Sequence, residues 1–553
     1  MLKVPVAFVV GDCEGNDKLC GRFGTHQLGN SLVCRDCNCP TDRSDDPIVR
    51  CTPLTVALIQ NARDDADALK SLSHHGIENA FHHVCFGGDP EGIHGCTPPE
   101  MLHLYQQGLY KYALEAFISL LTREQQRAFD VLFAKVADLC HRQSDRTFPR
   151  FTFPRGVTNL TRFTAAEQVG VTLVCFLSLS MQSFPSNMLK YNPRGKRYCV
   201  DQELVERCMG FKKLFEEMLC AEAWINMAEH SVLTLTNPAG QRITALMKLY
   251  ASTVQRITGN GLKIPKFHQL KHMPRYILKF GSPQNFSTSR CESHHISLSK
   301  RPAKTAQKRD ECFEQQVGQR IVDGIVLARA TKSLLASIHE PITQQQNVTK
   351  RGTRFCVIKL EEDGAFEAIP YNRQLDPIDL GDHTINTFGE AFSKYFPTNE
   401  GIPCFTEHHR SDQAGNNYIF RSHPNYRGHP WHDWAFFSWD NESTESPDDG
   451  SSEDSAKCSV IPAKILFFFD GRELVDHPEY DAGLYAVVVS LAALSSRVAG
   501  SKILSKGRDA SGNSYLLAPV DSIVNTALVV PNIGVPNEYL VVSPPADWPS
   551  MFI

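Results

Sequence analysis

No apolar stretch in this chain approaches the roughly twenty residues that a membrane-spanning helix needs. The longest, such as residues 171–179, stop well short. No basic, then apolar, then small-residue pattern opens the chain, so no secretory leader is expected. Net charge is slight as well, since 57 Lys and Arg oppose 61 Asp and Glu and leave −4. No chain-wide field therefore attracts a nucleic acid, and any DNA surface must be a local cluster. Cysteine is sparse for a disulfide scaffold, with 18 in 553 residues. Without a leader, reduced thiols and metal ligation are the better reading. The 42% hydrophobic and 21% charged content is that of a globular protein, and the length predicts roughly two to four domains.

What is present begins with the apolar run Val4-Pro5-Val6-Ala7-Phe8-Val9-Val10, closed by Gly11-Asp12. Its Val content predicts a buried strand with the Asp12 carboxylate at its end. A Cys-rich loop follows, containing Cys34-Arg35-Asp36-Cys37, with Cys39 and Cys51 nearby. Residues 52–75 read as helical. In the sequence Thr97-Pro98-Pro99-Glu100-Met101-Leu102-His103, Thr97 is placed to cap a helix that Pro98 begins and Glu100 supports. Apolar residues at intervals of three and four predict long helices over 124–140, 165–181, 202–230, 241–258 and 310–338. Beyond about 350, short Val, Ile, Phe and Tyr runs broken by Gly, Pro, Asn and Asp predict a β domain. It is interrupted at 440–457 by an acidic, Ser-rich loop expected to be solvated.

Three constellations carry chemistry. Cys34-x-x-Cys37 offers two thiolates to one metal, and His268-x-x-x-His272 offers two imidazoles from one helix face. Together they would close a tetrahedral Cys2His2 zinc site, with Cys39 and His103 as competing ligands. Asp12 and Glu292 are the carboxylates for a divalent-ion site of the two-metal kind, although each taken alone reads rather as a cap or a surface charge. Lys300, Arg301, Lys304, Lys308 and Arg309 put five cations within ten residues, a pattern suited to phosphate contacts or to a solvated face. A metallohydrolase centre drawing on His82, His83, His94 or Asp89 is a further reading. Trp431, Trp434 and Trp439 read as β-domain core.

In this order the motifs resemble eukaryotic DDE cut-and-paste DNA transposases of the CACTA-like and Plavaka (Kyakuja-Dileera-Zisupton) type. The landmarks are Pro98-Pro99-Glu100-Met101-Leu102-His103-Leu104 with Gly108-Leu109-Tyr110-Lys111. With them goes Phe267-His268-Gln269-Leu270-Lys271-His272, leading through Phe280-Gly281 and Phe286-Ser287-Thr288 to Glu292. The resemblance covers residues 4–310. It implies a mixed α+β chain with a partial RNase H-like domain in 1–119 and 261–345. An all-helical insertion at 120–260 would divide that domain, and a β-rich C-terminal domain at 350–553 would follow. Asp12 then matches the second catalytic acid and Glu292 the third, binding Mg²⁺ or Mn²⁺. Cys34, Cys37, His268 and His272 match the structural zinc ligands. Glu100-x-x-His103 departs from the family's Cys/Asp-x-x-His by its first residue. The family's first catalytic Asp has no counterpart upstream of Val4, so the expectation is an N-terminally truncated transposase-derived protein, inactive alone. The alternative is a non-catalytic zinc-stabilised DNA- or protein-binding remnant. The implied setting is the nucleus, with transposon-end and target DNA and a second copy of the chain as partners, and no membrane.

Overall fold

The computed structural model describes residues 6–24, 31–141, 157, 163–192, 194–227, 230, 232, 235, 238–258, 262–288, 301–306, 309, 312–338, 354–360, 366–370, 402–405, 407–411, 417–426, 429–439, 459–470, 483–492, 498, 501–509 and 515–542. The chain is mixed α+β, and it divides into two compact units. The first comprises Met1–Leu120, Leu160–Val169 and Trp224–Asn347, and the second Leu121–Asn159, Gly170–Ala223 and Val348–Ile553. The segment 120–260 is thus shared between them. Much of it packs in the same unit as the C-terminal strands.

In the first unit the described residues form helices, 3-10 turns and loops, with three isolated bridges (Arg22 with His74, Leu32 with Pro40, Cys37 with Pro53) and no strand. This corrects the expectation of a strand at the N-terminus. Residues 6–10 have no regular structure, and Val9 donates a single backbone hydrogen bond, to the Cys96 carbonyl at 2.8 Å. A strand needs a partner along its length. Here the apolar run instead supplies side chains, with Phe8 and Val9 packing around Cys20, Phe86, Ile93 and Cys96. Phe8 stacks at 4.7 Å on Phe280.

The helix expected to start at Pro98 begins three residues later. Arg35 occupies both the carbonyl and the hydroxyl of Thr97, so the cap passes to Glu100. Its carboxylate accepts from the N–H groups of Leu102 (2.9 Å) and His103 (2.7 Å). Leu102–Tyr110 then winds as a π-helix into the α-helix Lys111–Leu120. A π-turn widens the backbone and is often found where another element must approach closely. Gly108 meets that need, since a Cβ there would lie 2.8 Å from the His103 carbonyl oxygen and 3.0 Å from Lys266 Cδ. Residues 52–75 form two short helices, Val56–Asn61 and Ala66–Ser71, separated by a turn.

The helices Arg123–His141, Ala165–Ser180 and Gln202–Ile225, wholly or mostly in the second unit, sit close to their expected positions. An antiparallel hairpin, Leu189–Asn192 with Arg197–Val200, interrupts them. The C-terminal strands make an eleven-stranded sheet and a three-stranded one. Ser459–Asp470 is its central strand, paired antiparallel with Leu484–Ala492 on one side. Trp434–Trp439 and Ile402–Phe405 take successive halves of its other edge. The core between strands is aromatic and aliphatic, with Phe405, Phe420, Phe437, Ile465, Phe468, Val488 and Ile523 all buried. Trp434 is part of a second cluster and packs on Tyr539 at 5.9 Å. The acidic stretch 440–457 lies outside the described residues.

Candidate metal centre

Four ligands from two distant segments converge in the first unit. The knuckle that carries Cys34 and Cys37 is folded by its own backbone. Val33 N–H donates to the Cys39 carbonyl at 3.0 Å, and Asp36 N–H points to Cys34 Sγ at 3.4 Å. Asn38 N–H donates to Thr52 and Leu54 N–H to Asp36, each at 3.0 Å, which fixes the knuckle against residues 52–54. The two histidines come from the helix Pro265–Gln269 and the 3-10 turn Leu270–His272 that continues it. Pro265 opens that helix, where its missing N–H costs nothing. Buried Phe267 anchors it, packing at 5.4 Å on Tyr250, whose hydroxyl donates to the Leu109 carbonyl at 2.8 Å.

The result is a Cys2His2 group with all four ligand atoms within 4.8 Å of one another. His268 Nε2 lies 3.2 Å from Cys37 Sγ. His272 Nε2 lies 3.4 Å from Cys34 Sγ and 3.5 Å from Cys37 Sγ. A tetrahedral zinc, with Zn–S about 2.3 Å and Zn–N about 2.0–2.1 Å, holds neighbouring S and N ligands about 3.6 Å apart. The residues fit that ion in number, type and spacing. Cys34, Cys37 and His268 are fully or nearly fully buried, as a closed structural site requires. The electrostatics agree. Burial opposes the Cys34 thiolate, but hydrogen bonding with Cys37 and the attraction of His272 hold its pKa well below the usual thiol range. Burial likewise opposes a charged His272, and the Cys34 thiolate outweighs it and raises the imidazole. Behind the ligands, Asp36 is held by the Tyr276 hydroxyl, Arg275 packs over the Tyr276 ring at 5.0 Å, and Arg275 bonds Glu91 at 2.9 Å.

The remaining candidates fall elsewhere. Asp12 is exposed and caps the helix Cys13–Leu19, its Oδ1 accepting from Gly15 N–H at 2.6 Å. Glu292 lies outside the described residues, as do Lys300 and Lys308. Arg301, Lys304 and Arg309 are exposed, the first two on the short helix Arg301–Thr305. His103 is not among the grouped metal ligands. Its Nδ1 bonds the buried Glu100 carboxylate one helical turn away. Asp89 pairs with Lys279, and His83 with Glu78 at 3.6 Å.

Two features escaped the sequence. One is a buried charge triplet, with Asp17 lying 3.3 Å from Arg22 and 3.5 Å from Arg35, all three side chains fully excluded from solvent. The other is His74, which joins two candidates of the metallohydrolase reading, His82 and His94, in a histidine cluster. His94 packs 5.2 Å from His74 and 6.1 Å from His82, and the Nε2 atoms of all three are buried without a hydrogen-bond partner. Burial drops His94 to about 3 and His74 to about 4, and lowers His82. A histidine whose folded pKa is depressed binds fewer protons folded than unfolded, so its stabilisation is full above the unfolded value near 6.5 and erodes as pH falls toward 4. The thermal midpoint of the first unit should therefore fall between pH 7 and pH 5, and a His74→Gln variant should lose less over that interval than wild type.

No protein-family model matches the chain, and no curated protein is similar enough to count as a relative. Among the described residues, no helix is long and apolar enough to cross a membrane.

Proposed function

We propose that this is a transposase-derived protein whose first unit is a zinc-stapled, DNA-associated scaffold. The observation that carries the reading is the convergence of Cys34 and Cys37 with His268 and His272 across more than two hundred residues. These are the positions that the DDE-transposase resemblance assigns to zinc. The ion would hold the knuckle to the helix pair, supplying fold and not chemistry. An RNase H-like arrangement, nuclear localisation and a homo-oligomer belong to the same reading as expectations of the resemblance.

A second reading, a binding module without strand-transfer activity, is favoured by Asp12. The exposed Asp12 carboxylate serves as the cap of the helix Cys13–Leu19, with one oxygen on the Gly15 N–H group, and it is not among the residues grouped as metal ligands. The scaffold role is therefore the part of the proposal that the geometry favours.

DNA association is tested on the full chain by fluorescence anisotropy with a labelled duplex over a range of salt. Binding should weaken linearly in log–log form, with a slope of about −0.9 per phosphate neutralised. The Arg301→Ala, Lys304→Ala, Arg309→Ala triple variant should lower the slope by about 2 to 3. Absence of salt-dependent binding, or a triple variant indistinguishable from wild type, would remove DNA from the proposal.

A further inference from the structure

The cluster holds more ligands than one tetrahedral ion can use. Beside the Cys2His2 group lies a second set, Cys39, Cys51 and His268, whose ligand atoms also fall within 4.8 Å of one another. Cys39 is buried, and Cys51 is partly open to solvent. Both are free thiols brought there by the fold that positions Cys37. Val33 N–H bonds the Cys39 carbonyl, and the strand-like pairing of Asn38 with Thr52 sets Cys51 beside the knuckle.

His268 belongs to both sets, and one atom of its ring is unexplained. Its Nε2 faces Cys37, while its Nδ1 is buried without a hydrogen-bond partner. A ligating imidazole ordinarily uses its other nitrogen to donate to a carbonyl or carboxylate. His74 and His94, in the same unit, place their Nδ1 atoms 2.7 and 3.1 Å from the carbonyls of Leu72 and Arg35. His268 makes no such bond although its side chain is wholly excluded from solvent.

We propose that the cluster takes two divalent metal ions of the zinc type. One is held by Cys34, Cys37, His268 and His272, and the other by Cys39, Cys51 and the shared His268 ring. Three protein ligands leave the second ion one position for solvent, on the side where Cys51 is partly open. Thiolates and imidazole select zinc over magnesium or calcium. Loading the second ion sends the two thiol protons and the remaining ring N–H proton to solvent. No redox change is involved, so the site requires only reduced cysteines. The proposal rests on the zinc reading through His268, and it adds a second ion with its own ligands.

The test is cobalt titration of metal-stripped full-length chain under reductant, followed by elemental analysis of zinc-loaded protein. Wild type should bind two ions per chain, with charge-transfer absorption growing through both equivalents. Cys39→Ser and Cys51→Ser should each reduce the count to one. Cys34→Ser should remove the other ion. If Cys39→Ser fails to fold, Cys51→Ser decides, since its side chain is the less buried. One ion per chain, lost with Cys34→Ser but kept by Cys51→Ser, would overturn the second site and leave the first intact. An ion count indifferent to both Cys34→Ser and His272→Ala would instead sink the zinc staple itself. A Cys39–Cys51 disulfide that persists under reductant would also overturn the proposal.

Discussion

A Cys37→Ser variant should unfold its first unit at a temperature where wild type keeps its helices. The magnitude follows from the metal. Structural zinc contributes on the order of 10–16 kcal/mol of apparent binding free energy in small zinc domains, whereas whole domains are stable by only about 5–15 kcal/mol. Cys37 touches both histidines of the cluster, so serine in its place removes a ligand and loosens both imidazoles. Strong chelators should have the same effect on wild type. The measurement is thermal unfolding followed by far-ultraviolet circular dichroism, with and without chelator. A helical transition shifted to lower temperature, or helical signal already missing at the start of the scan, is the expected result. A wild-type curve unmoved by chelator would deny the ion any role in the fold.

The second large effect should come from Asp17→Asn. Asp17 touches both buried guanidiniums. Arg22 also donates to the Leu32 carbonyl at 2.6 Å, and Arg35 to the Thr97 carbonyl at 2.9 Å. The triplet thus joins the helix Cys13–Leu19, the metal knuckle and the chain leading into the π-helix. Burial holds the Asp17 carboxyl above its ordinary range, and the attraction of Arg35 and Arg22 offsets that rise only in part. Breaking a buried pair by removing one partner typically costs about 3–5 kcal/mol, because a charge is left uncompensated. Here Arg22 would lose its paired carboxylate, while Arg35 would keep the attraction of buried Asp36. Urea unfolding should show a loss of that order for Asp17→Asn. Asp12→Ala, which removes only an exposed helix cap, should cost about 1 kcal/mol. Similar small losses in both variants would mean that solvent reaches the triplet.

How far the sequence revealed this molecule depends on the range of the interaction. The helices Arg123–His141, Ala165–Ser180 and Phe313–Ile338 were legible because their spacing of apolar residues is local. The ligands Cys34, Cys37, His268 and His272 were legible as two pairs, since i, i+3 and i, i+4 spacings place donors together before any tertiary contact forms. Their meeting was expected because neither pair fills a tetrahedral site alone, and the resemblance pointed to the same four residues. The run from Val4 to Val10 was misread for the opposite reason. β-rich composition describes a residue's fit to a sheet, and among the described residues no neighbouring strand pairs with residues 6–10. The π-helix, the Arg22–Asp17–Arg35 triplet and the meeting of His74, His82 and His94 depend on loops packed by tertiary contacts. Charged residues inside the knuckle, Arg35 and Asp36 between the two cysteines, were the one visible sign that this segment is held by more than metal.

Zinc content of purified wild type, Cys34→Ser and His272→Ala distinguishes a staple between the two segments from a knuckle of cysteines. If the staple exists, both variants lose the same ion, although the two residues lie 238 positions apart. If His272→Ala retains the full wild-type zinc content while Cys34→Ser does not, the ion sits in a knuckle of cysteines alone. The link between the two segments would then be broken, and the transposase-like scaffold with it.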